Sequence, residues 1–193
     1  MGIATPEPVT RSNPTAGWRQ GTDLWVFAYG SLMWNPDFEH EETRTAQISG
    51  YHRAMCILSF LWRGTAERPG LVMGLDRGGS CRGRAFRVAA IKVPEVMARI
   101  YSREMPTGVY EPRFLPAVLD DRRKVQAWAF VARRDHPQYL AQATPDQRAA
   151  LIRQGHGTAG PCRDYLANTI TQLEMLGLGS EGLKRLLALV DEG

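Results

Sequence analysis

The hydrophobic pattern of the chain opens on one short apolar run. Residues 24–29 read Leu-Trp-Val-Phe-Ala-Tyr, and Gly30 and Ser31 follow at once. A run of this kind, rich in β-forming side chains and bounded by turn residues, predicts a strand that is buried on both faces. The stop at Gly30 predicts a tight turn directly after that strand.

The middle of the chain alternates between strand patterns and turn residues. The strand-like runs cover residues 48–58, 71–75, 83–88, 114–119 and 124–132. Gly78-Gly79-Ser80 predicts a hairpin between the second and third of these runs, and the charged residues 120–123 predict another between the last two. The Gly/Pro/Arg-rich residues 63–70 predict a loop. We therefore expect a largely antiparallel sheet here.

Helical patterns occupy one central segment and most of the last third. Apolar side chains recur at helical spacing over Val93–Tyr101, which predicts a helix that delivers Arg103 and Glu104. Thr144-Pro145-Asp146-Gln147 matches a capping box with proline at the first helical position. Two more helices are predicted, over 162–176 and after Ser180. Strands with one helix among them, followed by helices, predict the α+β class.

Length and composition predict one domain. The 193 residues are 44% hydrophobic and 23% charged, close to the average of globular proteins. We expect a flexible N-terminal arm at residues 1–23, where several prolines stand among polar residues, and a single domain at residues 24–193. The arm contains no apolar run of signal-peptide or transmembrane character. We therefore expect neither a membrane partner nor secretion.

Charge and cysteine content narrow the possible partners and compartment. The formal net charge is +4, and the arginines are scattered along the chain instead of forming a dense basic block. This argues against nucleic acid as a partner and is compatible with a pocket for a small anion. The three cysteines are far apart in sequence, as expected for reduced thiols of a cytoplasmic protein. The four histidines are widely separated and match no metal-binding spacing.

The turn at Tyr29-Gly30-Ser31-Leu32 is the first candidate binding element. A buried strand that ends abruptly leaves backbone N–H groups without ladder partners, and converging N–H groups bind a carboxylate or a phosphate. An ordinary β-turn is the plain alternative, because Gly-Ser turns are common. Ser31 as a nucleophile is disfavoured, since the flanking glycines of a nucleophile elbow are missing and no histidine is near in sequence. Ser31 is therefore expected to contact a ligand at most.

Glu104 is the candidate acid/base. It lies where the predicted helix gives way to a Pro/Gly loop, with mostly apolar neighbours. At the edge of a cleft such a carboxyl group is partly desolvated, which raises its pKa toward values useful for proton transfer. A helix-end residue exposed to solvent and paired with Arg103 is the alternative. The local sequence leaves both interpretations open.

Several segments, in the same order and spacing, resemble the ChaC-type γ-glutamylcyclotransferases. They are residues 24–34, 63–65, 69–72, 79–83, Arg103-Glu104, 108–110, 160–162 and 165–170. The resemblance covers nearly everything after the N-terminal arm. It implies a small mixed or antiparallel β-barrel-like sheet with flanking helices. It also implies cleavage of glutathione to 5-oxoproline and cysteinylglycine without a cofactor or a metal.

The resemblance also implies a set of site residues. The catalytic glutamate of the family falls on Glu104, and the family's tyrosine, expected to bind the substrate, falls on Tyr110. The family's substrate loop falls on Ala28, Tyr29, Gly30, Ser31, Leu32 and Met33. Two departures stand out: Ala28 replaces a glycine that is common in the family, and two additional residues separate Glu104 from the Gly-Val-Tyr segment.

Other functions stay open on sequence grounds. The nearest alternative is the same reaction on other γ-glutamyl amino acids or amines. A non-catalytic module that binds anions is a second alternative, and a nucleic-acid-binding protein is a third. For the cyclotransferase we expect glutathione as the small-molecule partner, a monomer or weak dimer, and a cytoplasmic location.

Overall fold

The computed structural model describes residues 13–140 and 142–193. Contacts divide these residues into two compact units: 13–52 with Leu75–Arg133, and Arg53–Gly74 with Arg134–Gly193. The predicted arm therefore lies partly outside the described residues. Its described part, 13–23, forms turns in which Trp18 Nε1 donates to the carbonyl oxygen of Thr22. The single domain at 24–193 stays a prediction.

Five strands form a closed barrel in the order β1-β3-β2-β4-β5. They are β1 (Leu24–Ala28), β2 (Glu42–Ser59), β3 (Gly70–Val88), β4 (Tyr110–Leu119) and β5 (Lys124–Ala132). Strand β1 pairs antiparallel with β3 and parallel with β5, and β4 and β5 form the hairpin predicted around residues 120–123. The sheet is therefore mixed. Together with the helices it gives an α+β fold, which confirms the predicted fold class.

Strand β1 lies between two neighbours and is buried along its whole length. All five of its residues are buried, from Val26 at 0% to Trp25 at 8% exposed. This explains why the run shows no alternation: a strand covered on both faces needs apolar side chains at every position. The core of the first unit forms around it, with Phe27, Phe86 and Trp128 among its largest fully buried side chains.

Helix α1 (Val93–Glu104) joins β3 to β4 and ends on the candidate acid/base. Pro94 lies in its first turn, where a missing N–H costs no hydrogen bond. One face buries Val93, Val96, Met97 and Ile100, as the helical spacing predicts. The helix extends to Glu104, beyond the predicted end at Tyr101.

The predicted hairpin at Gly78-Gly79-Ser80 is wrong. Strand β3 runs unbroken through these residues, although Gly78 and Gly79 have φ values of 103° and 69°. The two sides of the glycine pair have different partners: Leu75 pairs parallel with Val131 of β5, and Arg84 pairs antiparallel with Ala28 of β1. The two left-handed glycines therefore lie inside one continuous strand, between its contacts with two different neighbours.

Three helices dominate the second unit: α2 (Pro145–Gln154), α3 (Cys162–Met175) and α4 (Glu181–Asp191). The predicted capping box is present, since the Thr144 side chain accepts from Gln147 N and the Gln147 side chain accepts from Thr144 N. Ser180 occupies the N-cap of α4 as predicted, but its side chain makes no capping hydrogen bond. Among the described residues, no helix combines the length and apolar character needed to span a membrane.

A small hairpin, β6 (His156–Gly157) and β7 (Gly160–Pro161), explains the glycine-rich segment before α3. A Cβ at Gly157 would lie 2.4 Å from the carbonyl oxygen of Leu61 and 2.5 Å from the carbonyl carbon of Trp62. Close contact between two backbones therefore requires glycine here.

Candidate active site

The chain turns sharply where β1 ends, and we call Ala28–Met33 the cradle loop. Tyr29 and Gly30 form a bend, and Ser31–Met33 form one turn of 3-10 helix. The N–H groups of Met33, Trp34 and Asn35 bond carbonyl oxygens of Gly30 and Ser31. Within residues 13–140 and 142–193, the backbone N–H groups of Gly30, Ser31 and Leu32 have no bonded acceptor. The loop therefore offers three successive donors, the arrangement that binds anions.

Close contact with β3 fixes the start of the cradle loop. A Cβ at Gly83 would lie 2.3 Å from the carbonyl oxygen of Ala28 and 3.0 Å from Phe27 Cζ. A side chain there would displace the end of β1. Gly30 has a φ of −129°, so the turn itself does not use the left-handed region that favours glycine.

The other side chains of the cradle loop face the protein interior. The Tyr29 hydroxyl donates to the carbonyl oxygen of Phe130 over 2.6 Å, and Leu32 and Met33 are buried. Tyr29 thus fastens the loop to β5 with its side chain. Any ligand contact of Tyr29, Leu32 or Met33 falls to their backbones, which leaves Ser31 as the polar side chain of the loop.

Glu104 ends α1 with a largely buried carboxyl group. Its side chain is 18% exposed, and Met105 N closes the helix by donating to the carbonyl oxygen of Tyr101. Burial raises the pKa of Glu104 above its ordinary value, while the charge of Arg103 acts in the opposite direction. A carboxyl group in this environment exchanges protons closer to neutral pH than an exposed one does. The pairing with Arg103 that one interpretation of the sequence expected is present, but the carboxyl group is not exposed to solvent as that interpretation had it.

Arg103 connects Glu104 to the cradle loop, a link that sequence reasoning missed. Its Nη2 donates to Ser31 Oγ over 3.0 Å and its Nη1 to the carbonyl oxygen of Asn35 over 2.8 Å. Its Nε lies 3.3 Å from Glu104 Oε1. One guanidinium thus brings together Ser31 and Glu104, which are far apart in sequence.

A second arginine holds the other end of the cradle loop. Arg84 lies opposite Ala28 in the β1–β3 pairing, and its Nη1 donates to the carbonyl oxygen of Met33 over 3.1 Å. Its Nε is buried and has no hydrogen-bond acceptor among the described residues.

Tyr110 opens β4 opposite Ala132 and is 9% exposed. The preceding Gly108 has a φ of 71°, and its carbonyl oxygen accepts from Arg133 Nη1 over 3.3 Å. This left-handed turn carries the chain from the end of α1 into the barrel. A substrate-binding role for Tyr110 stays a prediction.

Metal and thiol chemistry find little support in the described part of the chain. No group of three or more His, Cys, Asp or Glu residues is placed to hold a metal ion there. All three cysteines are free and buried. Burial raises the pKa of Cys162 to about 11, and its Sγ donates to the carbonyl oxygen of Leu71 over 2.9 Å. Its place at the start of α3 therefore does not activate the thiol.

We predict that thiol reagents leave the activity of the native protein intact. Buried, protonated thiols react slowly because the thiolate is the nucleophile. Titration with a chromogenic disulfide reagent should detect almost no thiol before denaturation and all three afterwards. Rapid labelling of Cys162 with parallel loss of activity would contradict this assignment.

Comparison with known proteins places the chain in a family. It is 37% identical over 167 residues to the glutathione-specific γ-glutamylcyclotransferase of Escherichia coli. The aligned residues cover 86% of this chain and 72% of that protein. It is 31% identical to glutathione-specific γ-glutamylcyclotransferase 1 of Homo sapiens, over 87% of this chain and 77% of that protein.

A solved structure supports the same fold. The crystal structure of a γ-glutamyl cyclotransferase specific to glutathione from yeast superposes with a TM-score of 0.81 at 20% identity, over 89% of this chain and 96% of that chain. The predicted barrel-like sheet with helices is thereby confirmed. Residues 24–193 also match the model of the ChaC-like protein family. With this match over most of its length and relatives above 30% identity, the chain belongs to the ChaC-like protein family.

Proposed function

We propose that the protein is a γ-glutamylcyclotransferase that converts glutathione to 5-oxoproline and cysteinylglycine. The relatives described above carry this activity in their names. The observation that carries the proposal is the link from the cradle loop through Arg103 to a buried carboxyl group. An anion-binding loop beside a proton-transfer group is what the cyclisation of a γ-glutamyl compound requires.

Binding begins at the cradle loop. The α-carboxylate of the γ-glutamyl group accepts from the N–H groups of Gly30, Ser31 and Leu32, which have no acceptor among the described residues. This contact fixes one end of a flexible chain and folds the substrate's α-amine toward its own γ-carbonyl carbon. The attack is intramolecular, so the protein mainly has to hold the ring-closing conformer.

Glu104 moves the proton. The substrate's α-ammonium, with a pKa of about 8, must lose a proton before it attacks the γ-carbonyl carbon. The ionised Glu104 accepts that proton as the new C–N bond forms. It then donates the proton to the nitrogen of the cysteine residue as the γ-glutamyl C–N bond breaks. Cysteinylglycine leaves with a neutral amine, the ring nitrogen of 5-oxoproline releases its second proton to solvent, and Glu104 returns to its ionised form.

The tetrahedral intermediate carries a negative oxygen that needs donors. Tyr110 is the group we assign to this role, since the N–H groups of the cradle loop hold the α-carboxylate. The reaction uses no cofactor and no metal ion. We further propose that the protein acts in the cytoplasm as a monomer or weak dimer, without a nucleic-acid or membrane partner. Its three free cysteines support a reducing compartment, and light scattering of the pure protein tests the oligomeric state.

Product analysis tests the proposed function. Incubation with reduced glutathione should release 5-oxoproline and cysteinylglycine in equal amounts. Competition with γ-glutamyl dipeptides then sets the substrate range. If such a dipeptide has a higher kcat/KM than glutathione, the protein is still a γ-glutamylcyclotransferase, but its preferred substrate is the dipeptide. If the protein binds glutathione tightly but releases no product, it is a non-catalytic anion-binding module.

The pH profile of kcat/KM should show an acid limb above the ordinary carboxyl value of 4.5. Activity needs the ionised Glu104, and burial raises its pKa, so protonation begins at a higher pH than for an exposed glutamate. Initial rates across the acidic range, at saturating and limiting substrate, measure this limb. An acid limb at or below 4.5 would contradict the assignment of Glu104 as the base.

A further inference from the structure

Each of the three nitrogen atoms of the Arg103 guanidinium has a different partner. Nη1 donates to the carbonyl oxygen of Asn35, Nη2 donates to Ser31 Oγ, and Nε lies beside Glu104 Oε1. The planar fork of arginine suits three partners in fixed directions, whereas a lysine ammonium is one compact charge. The side chain is 24% exposed, so solvent screens these contacts only in part. Arg103 is thereby held in one orientation.

The contact with Arg103 decides what the Ser31 hydroxyl can do. A hydroxyl has one O–H donor and two lone pairs, while a guanidinium has donors alone. Ser31 Oγ must therefore accept from Arg103, which leaves its own proton for another acceptor. None of the residues in 13–140 and 142–193 provides that acceptor for Ser31. Ser31 thus adds a side-chain donor to the free N–H groups of the cradle loop.

We propose that Arg103 is a positioning residue that orients the Ser31 hydroxyl as a donor to the substrate's α-carboxylate and holds Glu104 beside the cradle loop. This inference rests on the proposed function, because it assigns the anion at the loop to the γ-glutamyl group. It goes further in giving one residue control of both substrate binding and proton transfer.

Arg103 also lowers the pKa of Glu104 through its positive charge. Among the described residues, it is the charged group that acts on this carboxyl group, and it opposes the effect of burial on the pKa. Removal of the guanidinium leaves burial unopposed, so the pKa of Glu104 rises further. A higher pH is then needed to ionise the base, and the acid limb of the rate profile moves upward.

A purely structural brace predicts something different. If Arg103 only tied α1 to the segment after β1, its removal would lower the melting temperature and the amount of active enzyme. The remaining folded molecules would keep the wild-type KM and pH profile. KM and the acid limb therefore separate the two roles.

The experiment compares Arg103→Gln, Arg103→Lys, Ser31→Ala and their double variant Ser31→Ala with Arg103→Gln. Arg99→Gln is the matched control, because Arg99 lies one turn earlier on α1 and contacts Asp37 and Glu95 at the surface. Each protein is assayed for 5-oxoproline release from glutathione across pH, with circular dichroism to confirm folding.

We expect Arg103→Gln to raise KM by about tenfold or more and to move the acid limb up by about one pH unit. Ser31→Ala should raise KM without moving the limb, and the double variant should have a KM close to that of Arg103→Gln alone. Arg103→Lys keeps the positive charge but loses the planar guanidinium. Its acid limb should therefore lie close to the wild-type pH, while its KM stays raised. Arg99→Gln should match the wild type.

Three results overturn the inference. One is a wild-type KM and a wild-type acid limb in folded Arg103→Gln. If Arg103→Gln does not fold, a wild-type KM in both Arg103→Lys and Ser31→Ala overturns it. Another is full additivity of the Ser31 and Arg103 effects on KM, which would mean that they act independently. The third is a wild-type protein that releases no 5-oxoproline, and this result alone also removes the proposed function.

Discussion

Glu104→Gln should reduce kcat for 5-oxoproline release by on the order of a hundred- to ten-thousandfold, the usual contribution of a general acid/base. Glutamine keeps the size of the side chain but cannot take a proton from the substrate's α-ammonium. The proposed donors for the α-carboxylate belong to the cradle loop, so the affinity for glutathione should change little. Calorimetric titration and product chromatography measure the two quantities separately.

The same variant should be at least as stable as the wild type at neutral pH. A folded-state pKa that is raised above the unfolded value stabilises the fold below the unfolded pKa, and this contribution is lost as the pH rises. At pH 7 the buried Glu104 carboxylate is therefore a cost, which glutamine avoids.

Glu95→Gln is the control, because Glu95 lies in the first turn of the same helix and is 68% exposed. It should retain wild-type turnover. Equal losses in both variants, or near-normal turnover in Glu104→Gln, would contradict the assignment.

Gly83→Ala should damage stability and activity together. The new methyl carbon would lie 2.3 Å from the carbonyl oxygen of Ala28, so the backbone at the end of β1 must move. Overpacking of this kind costs about 1–3 kcal/mol, which corresponds to a fall in melting temperature of roughly 5 °C for a chain of this size. The cradle loop starts at Ala28, and a displacement near 1 Å reduces turnover by on the order of a hundredfold.

Gly182→Ala is the matched control for this variant. Gly182 lies in α4, and a Cβ there would meet no heavy atom within 4 Å. Alanine favours the helix over glycine by about 0.5–1 kcal/mol, so the melting temperature should stay or rise and activity should not change. A Gly83→Ala protein with wild-type melting temperature and kcat/KM would show that β1 and the cradle loop tolerate the shift.

The elements that the sequence predicted well are those whose signal is local. The apolar run of β1, the helical spacing of α1 and the capping box at Thr144 each lie within a few residues. Gly78 and Gly79 misled the prediction because a left-handed glycine pair occurs both in hairpins and within long strands. The pairing partners on both sides decide between the two, and a local pattern does not contain them.

The candidate site depended on contacts between distant segments. Ser31 and Arg103 are 72 residues apart, and Met33 and Arg84 are 51 apart, so no local pattern joins them. The role of Glu104 was predicted from the family resemblance, because the burial of its carboxyl group arises only when α1 packs in the fold. Arg103 was visible merely as a neighbour of Glu104, and its bonds to the loop needed coordinates.

The central claim is that the substrate's own amine attacks the γ-carbonyl carbon in place of water. The most direct test runs the reaction in 18O-labelled water and identifies the products by mass spectrometry. Intramolecular attack gives 5-oxoproline free of the label, together with an equal amount of cysteinylglycine. Free glutamate carrying one labelled oxygen would mean that water cleaves the bond, and it would contradict the cyclisation.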